Sequence, residues 1–147
     1  MDELEWARKF FTGDRFAVEV SGISIDELGG DFSRCSFIAG ERHLNAAGTV
    51  MGGALFTLAD FAFAVAANRR GGPLVQSLTS QITYHSAAKC GRISAEARCV
   101  RRGRTTCYFN TVLTDDAGRL IATVVTTGYI HPDIPCSSHE EEGKNEG

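Results

Sequence analysis

Two features of one stretch could do chemistry: the adjacent glycines Gly52 and Gly53, and a lone carboxylate, Asp60, eight residues after Gly52. Asp60 stands among Leu55, Phe56, Leu58, Phe61, Phe63 and Val65. A carboxylate in such company loses hydration, which disfavours its charged form and raises its pKa unless partners compensate. A carboxylate of that kind suits a general base or a nucleophile. The competing reading is a buried aspartate satisfied by backbone or hydroxyl groups. The glycines precede a run of helix-forming residues. At a helix N-terminus the first N–H groups have no intrahelical partner, and the helix dipole adds partial positive charge. Without a side chain in the way, a ligand oxygen can approach those donors, as in an oxyanion hole. The steric alternative is that the glycines only permit a bend or a tight helix–sheet contact.

The spacing constrains how the two groups could cooperate. Eight helical residues span about 12 Å, whereas a reacting carbonyl must lie about 3 Å from both its donor and its base or bound water. One chain does not easily bring both to the same carbon. Two antiparallel copies of the helix about a two-fold axis would, with Gly52 of one chain facing Asp60 of the other. Further candidates surround them. Asn45 could donate to the same carbonyl, or serve as a turn residue. Ser77 and Thr79 alternate on a following strand and could hold a water. Arg101, Arg102 and Arg104 form a cationic turn suited to phosphate groups, or simply a solvated hairpin tip. His43, His85, His131 and His139 show neither metal-ligand spacing nor a triad arrangement, so they read as structural or surface residues and no metal site is expected.

The elements that must position these residues follow from the periodicity. Residues 2–11 read as a short amphipathic helix, with Leu4, Trp6, Ala7, Phe10 and Phe11 as its apolar set. Residues 16–20 fit either a helical turn or a strand. Residues 23–28 and 32–38 flank Gly29-Gly30-Asp31, a hairpin signal. A loop over residues 40–53 leads to the long helix, expected from Ala54 and stopped by Asn68 with Gly71 and Gly72. Strands are expected over residues 74–84, 93–101, 105–114 and 119–130, the last two joined at Asp115-Asp116-Ala117-Gly118. The long helix is apolar all round, so it is expected to be buried all round. A sheet covers only one side of it and the N-terminal helix is too small to cover the rest, which points to a partner subunit.

Bulk properties narrow the class. With 147 residues, 43% hydrophobic and 22% charged, the chain reads as one globular domain over residues 1–131, with residues 132–147 as a flexible acidic tail. A formal charge of −3 argues against a nucleic-acid partner. No signal peptide is visible, and the apolar helix is too short and Ala-rich to span a bilayer, so no membrane partner is expected. Five cysteines without a Cys-x-x-Cys pair fit free thiols in a reducing cytoplasm.

The pattern Asn45-x-x-Gly48-x-Val50-x-Gly52-Gly53, then Leu58-Ala59-Asp60 and Ala62-Phe63-Ala64, resembles the hot-dog-fold thioesterases of the phenylacetate-pathway (PaaI) type. The resemblance continues through Ile82-Thr83-Tyr84, Gly91, Arg104 and Gly128, and covers residues 12–130. It implies an α+β hot-dog fold, an antiparallel sheet wrapped around one long central helix. It implies homodimers that pair into tetramers and hydrolysis of acyl-CoA thioesters, with CoA part of the substrate and no separate cofactor. By the same resemblance Gly52 N–H and Asn45 polarise the thioester carbonyl, with Gly53 and Met51 beside them. Asp60 of the facing subunit activates water or attacks. Ser77 orients the water, and the Arg101, Arg102 and Arg104 turn meets the CoA phosphates. The family usually has His-Gly-Gly where this chain has Met51-Gly52-Gly53, and methionine donates no hydrogen bond.

The leading expectation is therefore a thioesterase acting on aryl or short- to medium-chain acyl-CoA. A non-catalytic acyl-CoA or acyl-ligand binding protein using the same pocket is the alternative. A hot-dog dehydratase or hydratase is a third reading, disfavoured because no histidine is placed opposite a carboxylate.

Overall fold

A computed structural model of the protein describes residues 1–136. The chain opens with α1 (Glu3–Phe10), whose first turn is capped by the Asp2 carboxylate accepting from the Glu5 N–H at 2.8 Å. Residues Phe16–Val20 form one π-helical turn, closed by the Ser21 N–H donating to the Phe16 carbonyl. Then come β1 (Ser24–Gly29), β2 (Phe32–Ala39), the long helix α2 (Gly52–Ala67), β3 (Pro73–Tyr84), β4 (Gly91–Arg102), β5 (Thr106–Thr114) and β6 (Leu120–Pro135). The six strands make one antiparallel sheet in the order β1-β2-β4-β5-β6-β3, and α2 lies across its inner face. This is the sheet-around-helix architecture that the sequence resemblance implied.

The helix seats closely because the sheet presents small groups beneath it. Ala95 and Ala97 of β4 are fully buried, and the Ser33 hydroxyl of β2 donates to the Ala62 carbonyl in the middle of α2 at 2.6 Å. On β6, a Cβ added at Gly128 would lie 2.7 Å from Cys107 Sγ and 2.9 Å from the Phe63 ring, so only glycine fits there. Phe63 in turn meets Phe109 edge-on at 5.1 Å.

At its far end α2 stops at Asn68. The Asn68 amide donates to the Ala64 carbonyl at 2.9 Å and the Val75 carbonyl at 3.2 Å, and its oxygen accepts the Val75 N–H at 2.8 Å. One buried side chain thus ends the helix and attaches it to the start of β3.

Several boundaries differ from the sequence reading. The helix starts at Gly52 rather than Ala54, so both glycines form its first turn. β6 continues past Ile130 to Pro135, which pairs with Pro73, so the first residues of the expected tail belong to the sheet; residues 137–147 lie outside the described residues. The helix is also not covered all round by its own chain. Gly53, Thr57, Asp60 and Ala64, spaced three or four apart, form a stripe that is open or half-open. Among the described residues no helix is long and apolar enough to cross a membrane.

β3 carries a further departure. Ser77 pairs with Gly128 but Thr79 pairs with Thr127, so Leu78 is an inserted bulge residue, 60% exposed. Before it, Val75 and Ser77 face the helix. After it, Ser80, Ile82 and Tyr84 do, while Thr79 and Thr83 point outward. Ser77 and Thr79 therefore do not share a face: Ser80 takes the inward place and bonds Thr126 Oγ1 at 3.0 Å.

Asn68→Ala removes a donor to Ala64 and both partners of Val75. The Ala64 carbonyl keeps the backbone N–H of residue 68, but leaving the Val75 N–H and C=O unpaired is expected to cost about 3 kcal/mol. The check is urea denaturation, in which the midpoint falls while the slope stays unchanged.

Candidate functional site

The loop before α2 holds the helix N-terminus in place. His43 is buried and stacked on Phe37 at 4.2 Å. Its Nδ1 accepts the Gly40 N–H at 3.0 Å, which leaves Nε2 to donate to the Ser21 carbonyl at 2.7 Å. The His43 carbonyl accepts the Met51 N–H at 2.7 Å, and Val50 N–H reaches the Ala88 carbonyl at 2.7 Å. His43 thus has the structural role expected of it. His85 bonds Thr123 Oγ1 at 2.9 Å and His131 bonds Gln76 Oε1 at 2.7 Å, while His139 lies outside the described residues.

Asn45 organises the same loop. Its side-chain oxygen accepts the Ala47 and Thr49 N–H groups at 3.0 and 3.1 Å, and its Nδ2 donates to Thr49 Oγ1 at 3.0 Å. The turn-residue reading is therefore realised. One Nδ2 hydrogen remains, on the exposed side of the loop.

The Met51 side chain is 56% exposed. The N–H groups of Gly52 and Gly53 meet no acceptor among the described residues, so the donors wanted for an oxyanion are present. Gly52 opens into a cleft of about 490 Å³ shared with Thr49, Leu55, Tyr84 and His85. A Cβ at Gly52 would lie 2.8 Å from the Tyr84 hydroxyl, so Tyr84 sits directly over the glycine. Sequence reading noted Tyr84 only as a strand match. Its inward direction depends on the Leu78 bulge, which no composition signal marks.

Asp60 lies in a different cleft, of about 590 Å³, together with Ser77, Phe63, Ala64 and Val75. The carboxylate keeps contact with solvent in the single chain, more than its apolar sequence neighbours suggested. Its pKa nonetheless rises, because the groups packed around it remove hydration and, secondarily, because the Asp14 carboxylate repels its charge. Asp14 borders the same cleft, and burial raises its pKa too. Asp14 escaped the sequence reading because it sits 46 residues before Asp60, in a turn whose docking onto α2 has no local signal.

The expected residues therefore fall into groups. Asp60 and Ser77 come together. Gly52, Gly53 and Met51 form the helix N-terminus, with Asn45 shaping the loop ahead, and this group opens into the other cleft. The basic turn is divided as well. Arg102 donates to Asp31 Oδ1 at 2.9 Å and to the Ala67 carbonyl at 3.2 Å, tying the β4–β5 hairpin to the end of α2. Arg101 and Arg104 are exposed, and their side chains meet no hydrogen-bond partner among the described residues. Among those residues, no group of three or more His, Cys, Asp and Glu could hold a metal ion.

Comparison with known proteins shows the family. The sequence profile of the Thioesterase superfamily matches residues 47–122, from the helix N-terminal loop into β6. A protein of Archaeoglobus fulgidus named as an esterase is 34% identical over 122 residues, covering 82% of this chain and 79% of its own. Acyl-coenzyme A thioesterase 13 of Homo sapiens is 39% identical over 92 residues, covering 60% of this chain and 65% of its own. A mutant structure of the phenylacetic acid degradation protein PaaI from Thermus thermophilus superposes with a TM-score of 0.72 at 29% identity, covering 77% of this chain and 96% of that one. With its helix wrapped by one antiparallel sheet, the chain belongs to the thioesterase superfamily and is a PaaI-like hot-dog thioesterase.

Proposed function

We propose that the protein hydrolyses acyl-CoA thioesters at a site shared between two copies of the chain. Asp60 of one copy serves as base or nucleophile, and the Gly52 N–H of the other holds the carbonyl oxygen. The observation that carries this reading is a mismatch within one chain. The carboxylate with a raised pKa and the unpartnered helix N–H groups lie about 12 Å apart along α2 and open into separate clefts.

In the general-base form, Asp60 takes a proton from water as the water oxygen attacks the thioester carbon. The developing oxyanion is held by Gly52 N–H. The carbon–sulfur bond then breaks, and the thiolate of CoA leaves with the proton returned from Asp60. In the nucleophilic form the Asp60 carboxylate attacks the thioester carbon and expels the CoA thiolate, and water then hydrolyses the resulting anhydride to the free acid and the regenerated carboxylate. Ser77, in the same cleft as Asp60, would orient the water. The exposed Arg101 and Arg104 guanidiniums suit the CoA phosphates.

The molecular surface favours the paired assembly. β3 is an edge of the sheet, twelve residues long, and beyond Val75, which Asn68 pairs, its outer row of N–H and C=O groups has no neighbouring strand among the described residues. The open stripe of α2 at Gly53, Thr57, Asp60 and Ala64 is a second uncovered surface. A two-fold partner would cover both. On the outer face of the sheet, Tyr108, Val112 and Val125 remain exposed and suit a further pairing of dimers. The five cysteines are all free thiols, in keeping with a cytoplasmic setting.

Two outcomes test the site. Asp60→Asn should lower kcat for acyl-CoA by about two orders of magnitude or more, read as thiol release. The same variant should be more stable than the wild type at neutral pH. The folded pKa of Asp60 is raised, so its favourable contribution is complete only below the ordinary carboxylate range and is lost as pH rises through the raised value. Asparagine carries no such dependence, so the two unfolding curves should converge in acid. Sharing of the site is tested by remixing Asp60→Asn chains with Gly52→Pro chains, which lack the N–H. Once Gly52→Pro is shown to fold and exchange, mixing should restore up to about a quarter of wild-type activity, because half the dimers are mixed and each has one good site. Activity no higher than either parent would mean that each chain holds a complete site. Tight acyl-CoA binding without turnover by the wild type would instead favour a binding protein.

A further inference from the structure

The Asp60 cleft has one wall that neither α2 nor the sheet supplies. Phe63, Ala64 and Val75 belong to α2 and β3 and are committed to helix–sheet packing, where Phe63 already touches Phe109 and crowds Gly128. The opposite wall includes Phe10 and Phe11, from the end of α1 and the residue after it. A terminal helix is a reliable wall only if it is tied down, and this one is. Trp6 and Ala7 are buried. Arg8 donates through Nε and Nη2 to the Ile25 carbonyl of β1 at 3.1 and 2.9 Å.

An unbroken run of rings leads from α1 to α2. Trp6 stacks on Phe10 at 4.9 Å, Phe10 meets Phe11 edge-on at 5.0 Å, and Phe11 meets Phe61 of α2 edge-on at 5.7 Å. Phe11 is buried within this run, whereas Phe10 is half-buried and keeps a face toward the cleft. Asp14 lines the same side beyond Phe11, so the two rings are its apolar part; the cleft volume of about 590 Å³ lies within the range of small-ligand sites.

We propose that Phe10 is the specificity-determining residue of the hydrolysis: its ring, held by α1, closes the apolar end of the Asp60 cleft and limits the length of acyl group that fits between it and Phe63. The assignment rests on the hydrolytic reading above. The acyl group is the part of the substrate that an apolar wall can select. Asp60 and Ser77 are on the α2 and β3 side, so the thioester lies there and the acyl chain runs toward the rings of α1, with Asp14 at the border of the cleft. Compact aryl and short- to medium-chain acyl groups fit the space as it stands, and longer chains meet the Phe10 ring.

The test compares hexanoyl-CoA with dodecanoyl-CoA for the wild type, Phe10→Ala and Phe10→Trp, measuring thiol release. Phe10→Ala should raise kcat/KM for dodecanoyl-CoA relative to hexanoyl-CoA, by roughly fourfold for each methylene newly taken into the cleft. Phe10→Trp should shift the ratio the other way. The tryptophan variant keeps an aromatic ring on Trp6 and Phe11, so it reports even if the alanine variant folds poorly. A wild type active on acyl-CoA whose chain-length ratio is unmoved by either substitution overturns the role of Phe10 and leaves the hydrolytic reading intact. A wild type that releases thiol from no acyl-CoA overturns both.

Discussion

The close seating of α2 on the sheet is the constraint on which the rest depends. A helix can lie against a sheet this tightly only where the strands give up side-chain volume. Here they do so with alanines at 95 and 97, a serine at 33 whose hydroxyl bonds directly to the helix backbone, and a glycine at 128. Once the helix is seated, its two ends are located by polar contacts. Met51 N–H is held by the His43 carbonyl at the front, and Asn68 clamps the back to Val75. The positions of the site groups on α2 then follow from their places along it. Gly52 must lie at the mouth of one cleft, and Asp60, two turns further, at another.

The helix carries an ionisable group that costs stability at neutral pH. A neutral residue in place of Asp60 would break no hydrogen bond, since Asp60 makes none among the described residues. Its raised pKa records the cost of keeping an ionisable group where hydration is poor and a second carboxylate, Asp14, is near. The N-terminal segment that brings Asp14 also brings the aromatic wall, so one element shapes both the electrostatics and the apolar boundary of the cleft.

Much of the fold was legible because its signals are local. Gly29-Gly30-Asp31 and the Asp115 to Gly118 turn mark their hairpins, and the alternation over residues 93–99 places Ile93, Ala95 and Ala97 inward as read. Asp60 announced itself as a misfit in an apolar run, although its exposure in the lone chain did not, since glycine, threonine and alanine at 53, 57 and 64 suit an open stripe as well as a buried one. What escaped was set by contacts between distant residues. Arg102 is committed by Asp31, 71 residues away, and by the end of α2. Asp14 and Phe10 enter the cleft only because the N-terminal segment docks there. Asn45, by contrast, is engaged by groups two and four residues on, a turn that its residue type already suggested.

The extra residue in β3 changes how substitutions along that strand should be counted. A sheet strand normally has one tolerance rhythm, with every second residue free to vary on the solvent side. In β3 the rhythm slips by one at Leu78: the free positions are even before it, as at Gln76, and odd after it, as at Thr79, Gln81 and Thr83. A mutational scan of residues 73–84 would therefore trace two half-patterns out of phase. An alignment that closed the slip with a gap elsewhere would assign Tyr84 to the wrong side of the molecule, away from the glycine it covers.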